Sequence, residues 1–181
     1  MKGGVFLGFI FLIPSCTLID KPVTTISNFN INDYQGTWYE IARLDHRFER
    51  NLTHVIAQYF KSGDYIKVIN RGYDLSAKEW RQAIGKAKFI DSNSNGLLKV
   101  SFFGPFYGAY QIHDIVTNQQ EKYIASLVIG PNSEYAWILS RTKYLPSNTK
   151  SRFIEKMKKF GINTNDLIWV NQNDLQVSAP K

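Results

Sequence analysis

From Thr37 the chain alternates in character every second residue, and this period of two recurs in short runs as far as Arg141. Successive side chains on a strand point to opposite faces, so the pattern fits sheet and conflicts with the 3.6-residue period of an amphipathic helix. The first run follows Gly36: Trp38, Glu40 and Ala42 share one side, Tyr39, Ile41 and Arg43 the other. In the second, Thr53 to Lys61, His54, Ile56, Gln58 and Phe60 alternate with Val55, Ala57 and Tyr59. Tyr65 to Tyr73 is a third, with Gly72 marking a bulge, and Trp80 to Ile90 a long fourth. Leu97 to Phe103, Ala109 to Ile115, Tyr123 to Ile129 and Tyr135 to Arg141 bring the runs to eight. Turn-forming residues separate them at Ser62-Gly63-Asp64, Asp91 to Gly96, Gly104-Pro105, Thr117 to Lys122 and Gly130-Pro131-Asn132. Short strands joined by local turns predict an antiparallel meander. A closed barrel, an open sheet and a sandwich all satisfy that pattern.

Two helical signals flank the strands. Phe29, Ile31 and Tyr34, spaced around Asn32-Asp33, suggest one helical turn closing an end of the sheet. After Pro146, the spacing of Phe153, Ile154, Met157 and Phe160 predicts a helix over about 147–160 with one apolar stripe, stopped by Gly161. Lys156, Lys158 and Lys159 suit its C-terminal end, and with Lys150 and Arg152 they read as a solvated basic face. Leu167 to Val170 reads as one more short strand, and residues 173–181 form a polar tail.

At 181 residues a single domain with a sizeable core is expected. The net charge of +7 favours anionic surfaces, yet the basic residues are scattered and no nucleic-acid motif or basic patch interleaved with aromatics is present, so nucleic acid is not a reading for this chain. The one cysteine, Cys16, excludes an internal disulfide. His46, His54 and His113 stand far apart with no metal-ligand spacing. No Gly-rich phosphate loop or Ser-centred elbow occurs, and His113 and Asp114, as strand neighbours, face opposite ways. The residues ask for no catalysis, metal or cofactor, and the reading is a binding protein rather than an enzyme.

Four stretches together resemble the lipocalin family, in its bacterial outer-membrane lipoprotein branch: Gly36 to Arg43, Asp45 to Arg50, Lys99 to Gly108 and Trp137 to Thr142. The resemblance spans residues 31–172 and implies an all-β fold, an eight-stranded antiparallel up-and-down barrel with the C-terminal helix packed outside. It implies that Arg141 lies across Trp38, beside Gly36, and seals the base of the barrel. On the shared face of the eighth strand it makes Tyr135, Trp137 and Leu139 candidate ligand residues. Strand parity adds Ile56 and Gln58 from the second strand, Val100 and Phe102 from the fifth, and Tyr110 and Ile112 from the sixth. Two features depart from the family: the Asp114 to Lys122 turn differs, and the disulfide of its mammalian members is absent.

The N-terminus resembles a bacterial lipoprotein signal. Met1-Lys2 is followed by an apolar run from Val5 to Ile13, too short to span a membrane, and then by Cys16. This implies a signal peptide over 1–15, a Cys16 acylated with chains such as palmitate, and a lipid-anchored tether over 16–30. Thr17, in place of Asp, directs the anchor to the cell outer membrane, with the domain in the periplasm. The implied partner is one fatty acid or lysophospholipid, held for storage or transport in envelope maintenance. A structural lipoprotein with a barrel filled by its own side chains and a lipid-modifying enzyme are the alternatives. The aromatic hairpin from Phe103 to Tyr107 has exposed rings suited to a membrane or to a second copy in a homodimer.

Overall fold

The computed structural model describes residues 19–91 and 95–173. The expected signal peptide, Cys16 and the tail beyond Asn173 lie outside the described residues.

The strands are β1 Gly36–Arg43, β2 Leu52–Ser62, β3 Tyr65–Asp74, β4 Glu79–Phe89, β5 Leu97–Phe103, β6 Phe106–Thr117, β7 Tyr123–Ile129 and β8 Ala136–Ser140. Each pairs antiparallel with the next, and β1 pairs with both β2 and β8. The sheet closes on itself, so of the arrangements the alternation permits, the barrel is the one formed. Closure removes the unpaired edges that would recruit another chain. A short strand, β9 Ile168–Trp169, adds outside the ring against β1.

The two ends of the barrel differ. Residues 44–51, 75–78, 104–105 and 130–135 connect strands at one end, the mouth. At the other, the base, α1 Ile31–Tyr34 forms a plug, with the Asn30 side chain accepting from the Asn32 N–H as its cap. Gly36 turns the chain from plug to strand at φ 88°, a conformation glycine adopts without a Cβ penalty.

Outside the barrel lies α2 Ser147–Phe160. Its Phe153 and Met157 are fully buried against Ile41, Ala42, Leu127 and Ile138. Gly161 ends the helix in the left-handed conformation, and its N–H reaches Lys158 O. The buried Asp114 carboxylate on β6 accepts from Arg152 Nε at 2.7 Å and Nη2 at 2.6 Å, and lies 3.0 Å from Lys156 Nζ. Lys150 Nζ stands 3.7 Å over the Trp169 ring. The basic group on α2 is therefore a set of clamps to the barrel, and not only a solvated face.

Three further expectations are corrected. Register shifts on β1 between Glu40 and Ala42, so Ala42 joins the helix side while Arg43 turns in toward Glu40. The bulge near Gly72 belongs to the partner strand: β2 shifts between Thr53 and Ile56, whereas Gly72 pairs regularly with Arg81. A Cβ on Gly72 would come within 3.1 Å of Val55 and 3.2 Å of Leu52, so the glycine makes room for that bulge. Residues 20–29, expected within the tether, instead form a strap down the barrel wall. Asp20 N–H and Lys21 N–H donate to Pro131 O at the mouth, Ile26 N–H to Ile112 O, and Phe29 ends buried at the base. Most of these bonds are backbone bonds, which leave no apolar period in the sequence.

Candidate functional site

The base is sealed from below. Arg141 Cζ lies 3.9 Å over the Trp38 ring, while its guanidinium donates to Thr37 O, Asp33 O and Gln35 O at 2.7, 2.8 and 2.8 Å. Trp38 Nε1–H donates to Tyr34 O at 2.8 Å, so ring, plug and arginine form one unit. Above it, the hydroxyl of Tyr110 lies 2.8 Å from those of both Tyr34 and Tyr59. Burial pushes the Tyr34 phenol up to about 12 and raises Tyr59 and Tyr110 well above the usual range, so all three are neutral hydroxyls.

Over this floor lies an inner chamber of about 80 Å³, which continues into an outer chamber of about 480 Å³ open at the mouth. Phe48, Glu49, Asn70, Val100, Phe102 and Trp137 line both. The outer volume falls in the range of roughly 300–1,000 Å³ typical of small-molecule pockets. Small side chains on β4 create it: Ala83 lines the outer chamber and Ala87 the inner one. Between them, a Cβ on Gly85 would meet the Phe102 ring at 2.8 Å, so the glycine lets β5 lie close.

One wall is polar. Glu40 and Glu49 line the inner chamber, both buried. Arg43 Nη1 lies 2.7 Å from Glu40 Oε1, and its Nη2 donates to Glu49 O at 2.8 Å. Glu49 Oε2 accepts from Trp137 Nε1–H at 3.0 Å and lies 2.9 Å from His46 Nε2. Burial first, then the Glu49 charge, raises the Glu40 carboxyl well above its usual range, with Arg43 opposing.

Trp137, Leu139, Val100, Phe102, Tyr110 and Ile112 all line the inner chamber, and Tyr135 lines the outer one. Ile56 and Gln58 line neither. Val55, Ala57 and Tyr59 hold the inner face of β2, and Gln58 Nε2–H donates to Thr37 Oγ1 across the outer face. That is a one-residue error of parity, which moves every side chain of a strand to the other face. The signal against it was present: Val55, Ala57 and Tyr59 are the apolar set, and a closed barrel puts that set inside. Sequence reasoning nominated neither Glu49, which it noted only within the Asp45 to Arg50 stretch, nor Asn70 as a chamber residue. Glu49 arrives from a connection with no period, whereas the alternate small residues Ala83, Gly85 and Ala87 were a readable sign of a chamber.

The histidines lie apart: His46 beside Glu49, His54 against Asn173 O and His113 against Thr24 O. Asp114 faces α2, away from His113's partner. Among the described residues no group of three His, Cys, Asp or Glu is arranged to hold a metal ion.

Together these features define an antiparallel β-barrel closed at its base, with one largely apolar chamber open at its mouth. Residues 29–172 match the model of the lipocalin-like domain, and the chain belongs to the lipocalin family. It is 46% identical to the outer membrane lipoprotein Blc of Vibrio cholerae, over 89% of this chain and 93% of that protein. It is 42% identical to the outer membrane lipoprotein Blc of Escherichia coli, over 90% and 91% of the two chains. Among solved structures, insecticyanin from Manduca sexta superposes with a TM-score of 0.64 at 21% identity, over 83% of this chain and 85% of its own, a likeness of fold.

Proposed function

We propose that this lipocalin is an outer-membrane lipoprotein, acylated at Cys16, that holds one fatty acid or lysophospholipid in its barrel for storage or transport. The observation that carries the reading is the outer chamber of about 480 Å³, continuous with the inner one and walled by Phe102, Phe103, Phe106, Val55 and Trp137. The relatives named outer membrane lipoproteins, together with the lipobox-like approach to Cys16, support the anchor. The driving force is desolvation of the acyl chain. About 16 carbons at ~0.8 kcal/mol per CH₂ give on the order of 12 kcal/mol before ordering costs.

The polar wall sets the orientation. Glu40 lines only the inner chamber, Glu49 lines both, and Arg71 and Arg81 line only the outer one, so a carboxylate or phosphate finds its cations toward the mouth. The tail therefore enters first and the anionic end stays at the mouth.

A soluble chain beginning at Asp20, which keeps the strap, is to be titrated with a fluorescent fatty acid and with a lysophospholipid while tryptophan emission is followed. One saturable site is expected. Ala83→Phe, which projects a ring into the outer chamber, should weaken it about tenfold, the equivalent of displacing roughly two methylenes. A folded, monodisperse chain that binds neither ligand would leave a barrel without cargo, and the structural lipoprotein would replace the carrier.

A further inference from the structure

Three observations concern the mouth. The chain enters the described structure there: Asp20 N–H and Lys21 N–H donate to Pro131 O at 3.0 and 2.9 Å, and Pro131 itself lines the outer chamber. Lys21 is fixed further by Phe160, whose carbonyl accepts from its Nζ at 2.7 Å. Cys16 precedes Asp20 by four residues, a span of at most ~14 Å when fully extended. An acyl anchor on Cys16 therefore holds the mouth, not the base, against the membrane.

The rim at that end is apolar and uncovered. Phe48 is 56% exposed, Leu75 59%, Phe103 76% and Phe106 79%. They come from three of the four mouth connections and their flanks, and the fourth carries Pro131 and the strap. The base connections at 63–64, 90–96 and 118–122 carry one large apolar side chain, Ile90, at 37% exposure. Other large apolar groups are exposed at separate places, Ile84 on the barrel wall, Ile90 and Tyr144 at the base end and Trp169 on β9. Phe103 and Phe106, the two most exposed large apolar groups among the described residues, instead pair with each other and share the mouth with Phe48 and Leu75. Such a cluster marks a contact surface. The mouth connections also carry no net charge: Arg47, Arg50 and Lys78 stand against Asp45, Glu49 and Glu134. The excess positive charge lies on the barrel sides and on α2, so the basic balance of the chain is not what would bring the mouth to lipid.

We propose that the rim formed by Phe48, Leu75, Phe103 and Phe106 inserts into the leaflet that holds the anchor, so that the chamber opens directly onto lipid. This rests on the anchoring reading above. A lipid of that leaflet then enters tail first without its chain crossing water, and the insertion is driven by apolar burial and not by headgroup charge.

The full acylated chain is to be reconstituted into vesicles, with a single additional cysteine carrying a spin label. The label is placed at the mouth by Pro105→Cys or at the base by Gly63→Cys, and its depth is read from relaxation by lipid-soluble and water-soluble agents. The mouth label is expected at the depth of the headgroup–acyl boundary and the base label in water, alike in zwitterionic and anionic vesicles. Phe103→Ser with Phe106→Ser should raise the mouth label toward water and slow transfer of a fluorescent fatty acid from vesicle to barrel about tenfold. A chain whose mass shows no acyl group on Cys16 overturns the anchor and this inference with it. An acylated chain whose mouth label sits in water overturns the inference alone. Spin–spin coupling between mouth labels of two chains would identify a second copy as the occupant and overturn it too, as would insertion confined to anionic vesicles.

Discussion

At the scale of single residues, the half-buried Arg141 and the buried Glu40 do different work. Arg141 holds the base through four backbone carbonyls, those of Thr37, Asp33, Gln35 and Tyr123, and the Trp38 face. Arg141→Ala leaves those acceptors without their charged donor and should cost about 3 kcal/mol in urea denaturation. Arg141→Lys should recover no more than about half of it, because an ammonium cannot fork over four carbonyls and stack on the ring. Full recovery by lysine would show that charge alone matters there. Glu40 contributes a pH dependence instead. Its raised carboxyl means that the folded chain grips this proton more tightly than the unfolded chain does. The stabilisation is complete below the ordinary glutamate value of ~4.3 and drains away as pH rises toward the folded value. Glu40→Gln should therefore remove a downward slope of stability above about pH 4.5, at most ~1.4 kcal/mol per pH unit for one proton. Equal slopes in the two chains would refute the raised carboxyl. The position of Arg141 on Trp38 was legible through family resemblance. The setting of Glu40 was not, because the Glu49 charge reaches it from a connection whose course no local pattern encodes.

At the scale of elements, regular alternation was a reliable guide until a bulge interrupted it. On β8, where pairing is unbroken along β7, the side chains facing inward are those the period gives. On β1 the register shifts between Glu40 and Ala42 and the periodic reading loses its phase. On β2 the alternation of Val55, Ala57 and Tyr59 is regular, and only the choice of inner face was inverted. A bulge depends on the fit between two strands, as between Gly72 and the Val55–Leu52 side, and not on either alone. The helix was legible in both extent and stripe because its cap and period are local. Its docking energy divides unequally. Phe153, fully buried, should cost about 3–5 kcal/mol on replacement by Ala. Asp114→Asn should cost only about 1 kcal/mol, since the partners Arg152 and Lys156 keep side-chain exposures of 49% and 35% and can return to water. Thermal or urea denaturation of the two variants gives the ranking, and the reverse order would mean that the ion cluster, not the apolar stripe, holds α2 in place.

At the scale of the whole molecule, the strap joins what the strands leave separate. It is bonded to the mouth at Pro131, to β6 at Gln111 and Ile112, and to the base through Gly96 and Phe29. Gln111 binds strap and mouth together: its Oε1 accepts from Val23 N–H at 3.1 Å, and its Nε2–H donates to Gly130 O at 2.7 Å. The segment's composition reads as a tether because its anchoring is carried largely by backbone bonds, with Val23 and Ile26 packed at no regular period. One terminal ring completes it, stacked at 6.1 Å on Tyr123 and edge-on to Tyr34 at 5.2 Å. A chain that begins at Asn30 loses the ladder and the Phe29 ring together. Removing the ring alone is worth about 3 kcal/mol or more, which for a domain of this size lowers the melting temperature by about 10 °C relative to a chain beginning at Asp20. The loss falls on the base and the wall, whereas the acyl tail enters from the mouth. Fatty-acid affinity measured well below the melting temperature should therefore stay within about threefold of the longer chain, a difference under ~1 kcal/mol. Equal melting temperatures would mean that the strap lies on the barrel without supporting it. A large fall in affinity at a temperature where both chains are folded would mean that the strap shapes the chamber as well as the scaffold.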